Sequence, residues 1–167
     1  MNNLAVIGVH DPSIEYKDRL TVKALILNDK NKLLIINNGL LPGGGVEDNE
    51  DNITALRRES IEELGITISE IKEISIVIQY RDLINKKYII HGYAARFVDS
   101  LGKTNPQNQG EADFTHAWYS VDDAINLVNN SIKQMEDMDV ALDGANQGKL
   151  FNLMTTLELL NSFTKSS

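Results

Sequence analysis

The 167-residue chain has no cysteine, which excludes disulfides, thiolate zinc sites and a cysteine nucleophile. Bases are scarce: 16 Lys and Arg stand against 24 Asp and Glu, for a formal charge of −8 and a pI near 4.8. A chain this acidic is repelled by phosphate backbones, so a general binder of long nucleic acid is excluded. Small phosphate compounds are not, because a divalent cation can stand between two sets of negative charge. No apolar run approaches the roughly 18–20 residues of a membrane span. The opening Met-Asn-Asn-Leu lacks the basic region and apolar stretch of a secretory signal. What remains is an ordinary globular mix, 42% apolar and 24% charged, of a length that suits one domain with one core. The expectation is a single domain over residues 1–167, cytoplasmic and with no membrane partner; a homodimer stays open.

The chain shows no repeat and no low-complexity tract. Residues 1–19 are mixed, with a turn signal at His10-Asp11-Pro12-Ser13. Leu20 to Asn28 and Leu33 to Asn37 read as strands of a hairpin across Asp29-Lys30-Asn31-Lys32. Three successive glycines, Gly43, Gly44 and Gly45, suit neither helix nor strand and mark a loop. Ile71–Tyr80 and Lys87–Val98 predict a second, longer hairpin, and Phe114–Tyr119 a short strand. Helices are expected at about Val121–Val128, capped by Ser120, and from Gly148 to Phe163, while 129–147 is polar and unassigned. Strands grouped around helices without βαβ alternation indicate α+β or a three-layer sandwich.

The clearest helix runs from Asn52 to Leu64, with Asp51 or Asn52 to cap its start and Gly65 to end it. On a helical wheel Ile53, Leu56, Ser60 and Leu64 fall at about 0°, 300°, 340° and 20°, one core-facing stripe. Glu59, Glu62 and Glu63 fall at about 240°, 180° and 280°, so three carboxylates crowd one flank beside that stripe. Like charges at i, i+3 and i+4 cost a few tenths of a kcal/mol per pair, roughly, and something should offset them. A hard cation such as Mg²⁺ takes oxygen ligands and retains waters and substrate phosphates. A solvated acidic face is the plainer alternative.

From Gly44 the residues run Gly44-Gly45-Val46-Glu47-Asp48-Asn49-Glu50, seven more, then Arg58-Glu59-Ser60-Ile61-Glu62-Glu63-Leu64-Gly65-Ile66. This resembles the Nudix box, with every fixed Gly, Glu and Arg at the family spacing. One position departs: Ser60 stands where the family has an aliphatic residue, in the middle of the core stripe, where its hydroxyl can bond back to the Leu56 carbonyl. The resemblance implies a Nudix-type α/β/α sandwich with a mixed central sheet and an acidic catalytic helix. It implies a hydrolase of nucleoside diphosphates linked to another group X, using Mg²⁺ or Mn²⁺. It also implies metal ligands at Glu59, Glu62, Glu63 and Gly44, with Glu50 as an outer metal or orienting carboxylate. One of the glutamates, or a downstream one, would assist the attacking water. Arg58 would hold the carboxylates by charge-assisted hydrogen bonds, and Gly43, Gly44 and Gly45 would let backbone pass close to metal and phosphates.

Outside the box, many relatives carry another catalytic Glu before the last strand; Glu111 is the candidate here, ahead of Asp113. Tyr80 and Arg81 end a strand where they could stack on a base or meet a phosphate, against the plainer readings of a half-buried aromatic and a surface salt bridge. Trp118 reads as packing, and His10, His91 and His116 have no ligand spacing. The acids Glu136, Asp137, Asp139 and Asp143 fail as an EF-hand, since position 12 from Asp139 is Leu150 rather than Glu. Family substrate markers are missing: no proline follows the box at the ADP-sugar position, and Tyr80 is only close to the dinucleoside-polyphosphate tyrosine. By elimination a nucleoside triphosphate or related nucleotide is expected. A non-cleaving Nudix-like sensor is disfavoured by the retained glutamates, and an isomerase by the missing cysteine.

Overall fold

The computed structural model describes residues 3–102, 115–137 and 143–166. The strands are β1 (Asn3–Ile7), β2 (Lys17–Leu27), β3 (Leu33–Ile36), β4 (Ile66–Arg81), β5 (Lys86–Ser100) and β6 (His116–Tyr119). The helices are α1 (Asn52–Leu64), α2 (Val121–Asp137) and α3 (Gly144–Ser166). One mixed sheet has the order β1-β4-β5-β2-β3-β6. The pairs β1–β4 and β2–β5 are parallel, and the other three are antiparallel.

Strand alternation gives the sheet two buried faces. Leu25, Leu27, Leu33, Ile35, Val77 and Ile90 point to one face and pack with Val128, Leu153, Leu159 and Leu160 of α2 and α3. Val22, Ala24, Ile26, Leu34, Ile36 and Tyr93 point to the other and pack with Ala55, Leu56 and Leu64 of α1. Helices on both faces make the α/β/α sandwich that the sequence implied. α1 has the expected bounds: the Asp51 carboxylate accepts from the Thr54 N–H at 2.7 Å, and Gly65, at φ 62°, returns its N–H to Ile61. Ser60 is 1% exposed, and its Oγ donates to the Leu56 carbonyl at 2.8 Å.

Four differences from expectation have physical causes. β4 begins at Ile66 rather than Ile71, because the strand passes through irregularities with Glu70 at φ 49° instead of stopping there. The polar stretch after Val128 continues α2 to Asp137, since Ile132 and Met135 extend the stripe of Ala124 and Val128 against the core. α3 then starts at Gly144, where the Asp143 carboxylate accepts from the Asn146 N–H at 2.8 Å. β1 had no local signal; it exists because Asn3–Ile7 finds an open edge on β4 at Ser75–Gln79.

The two expected hairpins form, but β3 covers only the end of β2, through Leu27 and Leu33. The glycine loop borders the first half of β2. Val22 donates to the Gly44 carbonyl at 2.9 Å, Ala24 to Pro42 at 3.0 Å, and Val46 back to Leu20 at 3.1 Å. The loop is therefore fixed as a pseudo-strand, and its chain runs straight on toward α1.

Candidate active site

Tethered to β2, the loop from Gly43 to Gly45 passes under the acidic flank of α1. Gly43 donates its N–H to Glu63 Oε2 at 2.9 Å, and Glu63 is 9% exposed. At Gly44 a Cβ would lie 2.4 Å from Glu59 Oε1, so only glycine lets that carboxylate lie on the backbone. Gly43 has φ 123°, and a Cβ there would lie 2.2 Å from the Val22 carbonyl oxygen.

Arg58 organises the acids. Nε and Nη2 donate to the two oxygens of Glu50 at 3.2 and 2.7 Å. Nη1 donates to Glu59 Oε1 at 2.9 Å and Glu62 Oε2 at 3.0 Å, and Nη2 also reaches the Gly45 carbonyl at 3.0 Å. Glu47 lies 3.9 Å away. One guanidinium thus faces four carboxylates, and negative charge is left over. The hydrogen bond from Arg58 holds Glu50 below the ordinary carboxylate range. Burial pushes Glu59 up despite the same arginine.

Sequence reasoning missed Lys23. Partly exposed along its stem, it turns its ammonium inward, where Nζ donates to the Leu41 carbonyl at 3.0 Å and to the Gly43 carbonyl. Burial lowers its pKa, and the charges of Glu63 and Glu59 oppose that shift. The available signal was one lysine inside the apolar run Val22-Lys23-Ala24-Leu25. A cation placed in a core strand needs a nearby reason.

The other candidates separate. Arg81 is buried on the α3 side of the sheet, in a cleft of about 430 Å³ that includes Gly43, Gly44 and Gly45. Tyr80 turns to the opposite face, where its ring packs edge-on to His10 and Tyr16 at 5.0 and 5.2 Å between centroids; it does not line the cleft. Glu111 and Asp113 lie outside the described residues. Trp118 packs against Phe97 at 5.7 Å and against the core under α1, and His91 pairs with Glu73 at 2.5 Å. A larger groove, about 840 Å³, lies by Phe97, His116 and Trp118, but no box carboxylate lines it.

The donor set suits a hard divalent cation: all oxygen, adjacent, and more negative than Arg58 neutralises. Among the described residues no three Asp, Glu or His side chains converge closely enough to cage an ion alone. The Gly44 carbonyl already accepts from Val22, which leaves it one lone pair.

Comparison with known proteins identifies the family and the fold. The family model for the NUDIX domain matches residues 17–138. Among solved structures, a NUDIX hydrolase from Nitrosomonas europaea superimposes with a TM-score of 0.58 at 20% identity, covering 87% of this chain and 90% of that one. A MutT NUDIX hydrolase from Burkholderia pseudomallei gives 0.52 at 24%, covering 64% and 85%. The E. coli ORF135 protein gives 0.51 at 26%, covering 66% and 79%. No curated protein sequence matches at a significant level. The chain belongs to the NUDIX domain family.

Proposed function

We propose that this enzyme hydrolyses the diphosphate linkage of a nucleoside diphosphate joined to another group X, with Mg²⁺ or Mn²⁺, and that a nucleoside triphosphate or related nucleotide is its substrate. The carrying observation is the set of four carboxylates around Arg58, with Glu63 on the Gly43 N–H beside them. Glu59, Glu62 and Glu63 would hold the metal, with the Gly44 carbonyl able to add an oxygen. A divalent ion bound there neutralises the diphosphate and lowers the pKa of water.

The chain's own residues do the rest. Arg58 fixes the carboxylate directions, so that the site is arranged before substrate arrives. Gly43 and Gly44 remove the side chains that would separate phosphate from Glu59 and Glu63. Lys23 pins two loop carbonyls and so sets the height of the loop over β2. Glu111 is proposed as a further catalytic carboxylate.

A panel of nucleoside triphosphates, nucleotide sugars and dinucleoside polyphosphates, read as phosphate release with a coupling phosphatase, tests this reading. At least one class should turn over with Mg²⁺ or Mn²⁺ and stop with EDTA. Turnover of none with either metal would favour a nucleotide-binding module. Two glycine variants separate geometry from folding. Gly44→Ala meets only the movable end of Glu59, so Tm should hold while kcat falls about 10²-fold, as expected for a misplacement near 1 Å. Gly43→Ala meets backbone at positive φ and should lose about 2–4 kcal/mol of stability, read by urea denaturation. The reverse pattern would overturn these assignments.

A further inference from the structure

The glycine loop has two chemically opposite sides. At Gly44 the Cβ direction points at the Glu59 carboxylate, and at Gly45 it points at the Arg19 guanidinium. Arg19, Lys23, Arg81 and Lys86 all line the cleft beyond Gly45, and no Asp or Glu does. In a chain with 24 acids and 16 bases, that separation of charge is not the average expectation.

Arg81 is the anchor of the cleft and is only 8% exposed. Its Nε donates to Gln79 Oε1 at 2.7 Å and its Nη2 to Asn152 Oδ1 at 2.8 Å, and its guanidinium lies 4.0 Å over the Tyr88 ring. All three partners are neutral. Gln79 is itself locked by donating to Thr155 Oγ1 at 2.6 Å, which fixes the guanidinium plane. Nη1 sits beside Gly148, where a Cβ would come within 2.7 Å, and has no hydrogen-bond partner among the described residues. Neither Arg81 nor Arg19 nor Lys86 belongs to any ion pair among the described residues. Buried charges in proteins are paired or bind a ligand of opposite charge. A guanidinium fixed by neutral partners keeps its full charge for the oxygens of a phosphate in the cleft that it lines. Lys23 is already committed to the loop carbonyls, so Arg19 and Lys86, both exposed, are the cations left to join Arg81.

We propose that this cleft is an anion subsite, in which Arg81, Arg19 and Lys86 bind a phosphate of the substrate beyond the linkage that is cleaved. This rests on the hydrolase reading above and sharpens it: X is itself anionic, the end of a polyphosphate chain, and not a neutral sugar. Gly44, against Glu59, and Gly45, against Arg19, are successive residues, so the acidic and the cationic sides of the loop are one residue apart. A neutral sugar placed there would leave the buried Arg81 charge uncompensated.

The test has a binding arm and a kinetic arm. Inorganic tripolyphosphate, titrated calorimetrically into metal-free protein, should bind at least tenfold more weakly to Arg19→Ala and to Lys86→Ala than to the unaltered chain. Both side chains are exposed, so folding is retained; Arg81→Gln should lose more, provided its thermal melt is unchanged. Equal binding by all proteins, or none by the unaltered chain, overturns the subsite. In the kinetic arm, the ratio of kcat/KM for a nucleoside triphosphate to that for a nucleotide sugar should fall at least tenfold in Arg19→Ala, and an unmoved ratio overturns the assignment of X. Absence of all turnover would refute the hydrolase reading, while the calorimetry still decides the subsite.

Discussion

Glu63→Gln is expected to cut Mg²⁺-dependent turnover by a factor on the order of 10³ without unfolding the protein. A group that merely orients a metal ligand is worth about 10–100-fold, and loss of a ligand's charge should exceed that. The substitution is nearly isosteric, and the amide oxygen can still accept from the Gly43 N–H, now at 2.9 Å from the carboxylate. Two terms oppose each other in stability. A 9% exposed carboxylate no longer has to be buried, which favours the variant. Lys23 loses the stronger of the two negative influences, Glu63 and Glu59, that support its enclosed ammonium, which does not. They should leave Tm within a few degrees of the starting value. Glu59→Gln should behave alike, since Glu59 is also held by Arg58 and lies against Gly44. Steady-state rates across a Mg²⁺ titration, with thermal melts in parallel, make the measurement. Unchanged turnover in both variants would refute the metal-site assignment.

Arg58→Ala should damage both stability and rate. It removes hydrogen bonds to Glu50, Glu59, Glu62 and the Gly45 carbonyl together, and leaves the four surrounding carboxylates facing one another. Breaking a fully buried pair costs about 3–5 kcal/mol. The Arg58 side chain is 20% exposed, so solvent screening reduces the expectation to about 2–3 kcal/mol. Turnover should fall about 10–100-fold, the range for a residue that orients ligands. Excess Mg²⁺ should recover part of both losses, because the cation replaces the missing charge.

The stability difference should also depend on pH with a defined sign. Arg58 lowers the pKa of Glu50 in the folded chain. Its stabilisation is therefore complete above the unfolded carboxylate value of about 4.3, and is lost as pH falls through the lowered folded value. Urea denaturation should show a wide gap between the two proteins at pH 7 and a narrower one in the acid range. A gap that widens with acid would contradict the clamp.

The box was legible because each fixed position has a local physical reason. Asp51, Gly65 and the stripe of Leu56, Ser60 and Leu64 specify a capped amphipathic helix within 15 residues. Glycines cannot be replaced where a carboxylate or a carbonyl lies on the backbone. The basic cleft was less legible, because it is assembled across strands. Tyr80 and Arg81 are neighbours in sequence, yet alternation along β4 sends one to an aromatic cluster and the other to the cleft. Arg19, Lys86 and Asn152 come from separate elements, and no spacing rule links them. Lys23 looked like a blemish in a strand until the loop carbonyls were placed above it.

Local sequence thus determined the acidic helix, its caps and the glycine loop, and carried the resemblance to the family. Between Gly44 and Ile66 seven acids and two bases give −5 of the chain's −8, and that concentration was visible before any fold. Tertiary structure decided which cations face that charge, and how. The sheet sets β2, β4 and β5 side by side, so that Arg19, Arg81 and Lys86, 67 positions apart at the extremes, share one cleft behind the loop. Charge content is a property of sequence, whereas the separation of opposite charges across a single backbone segment follows only from strand pairing and the alternation of side chains.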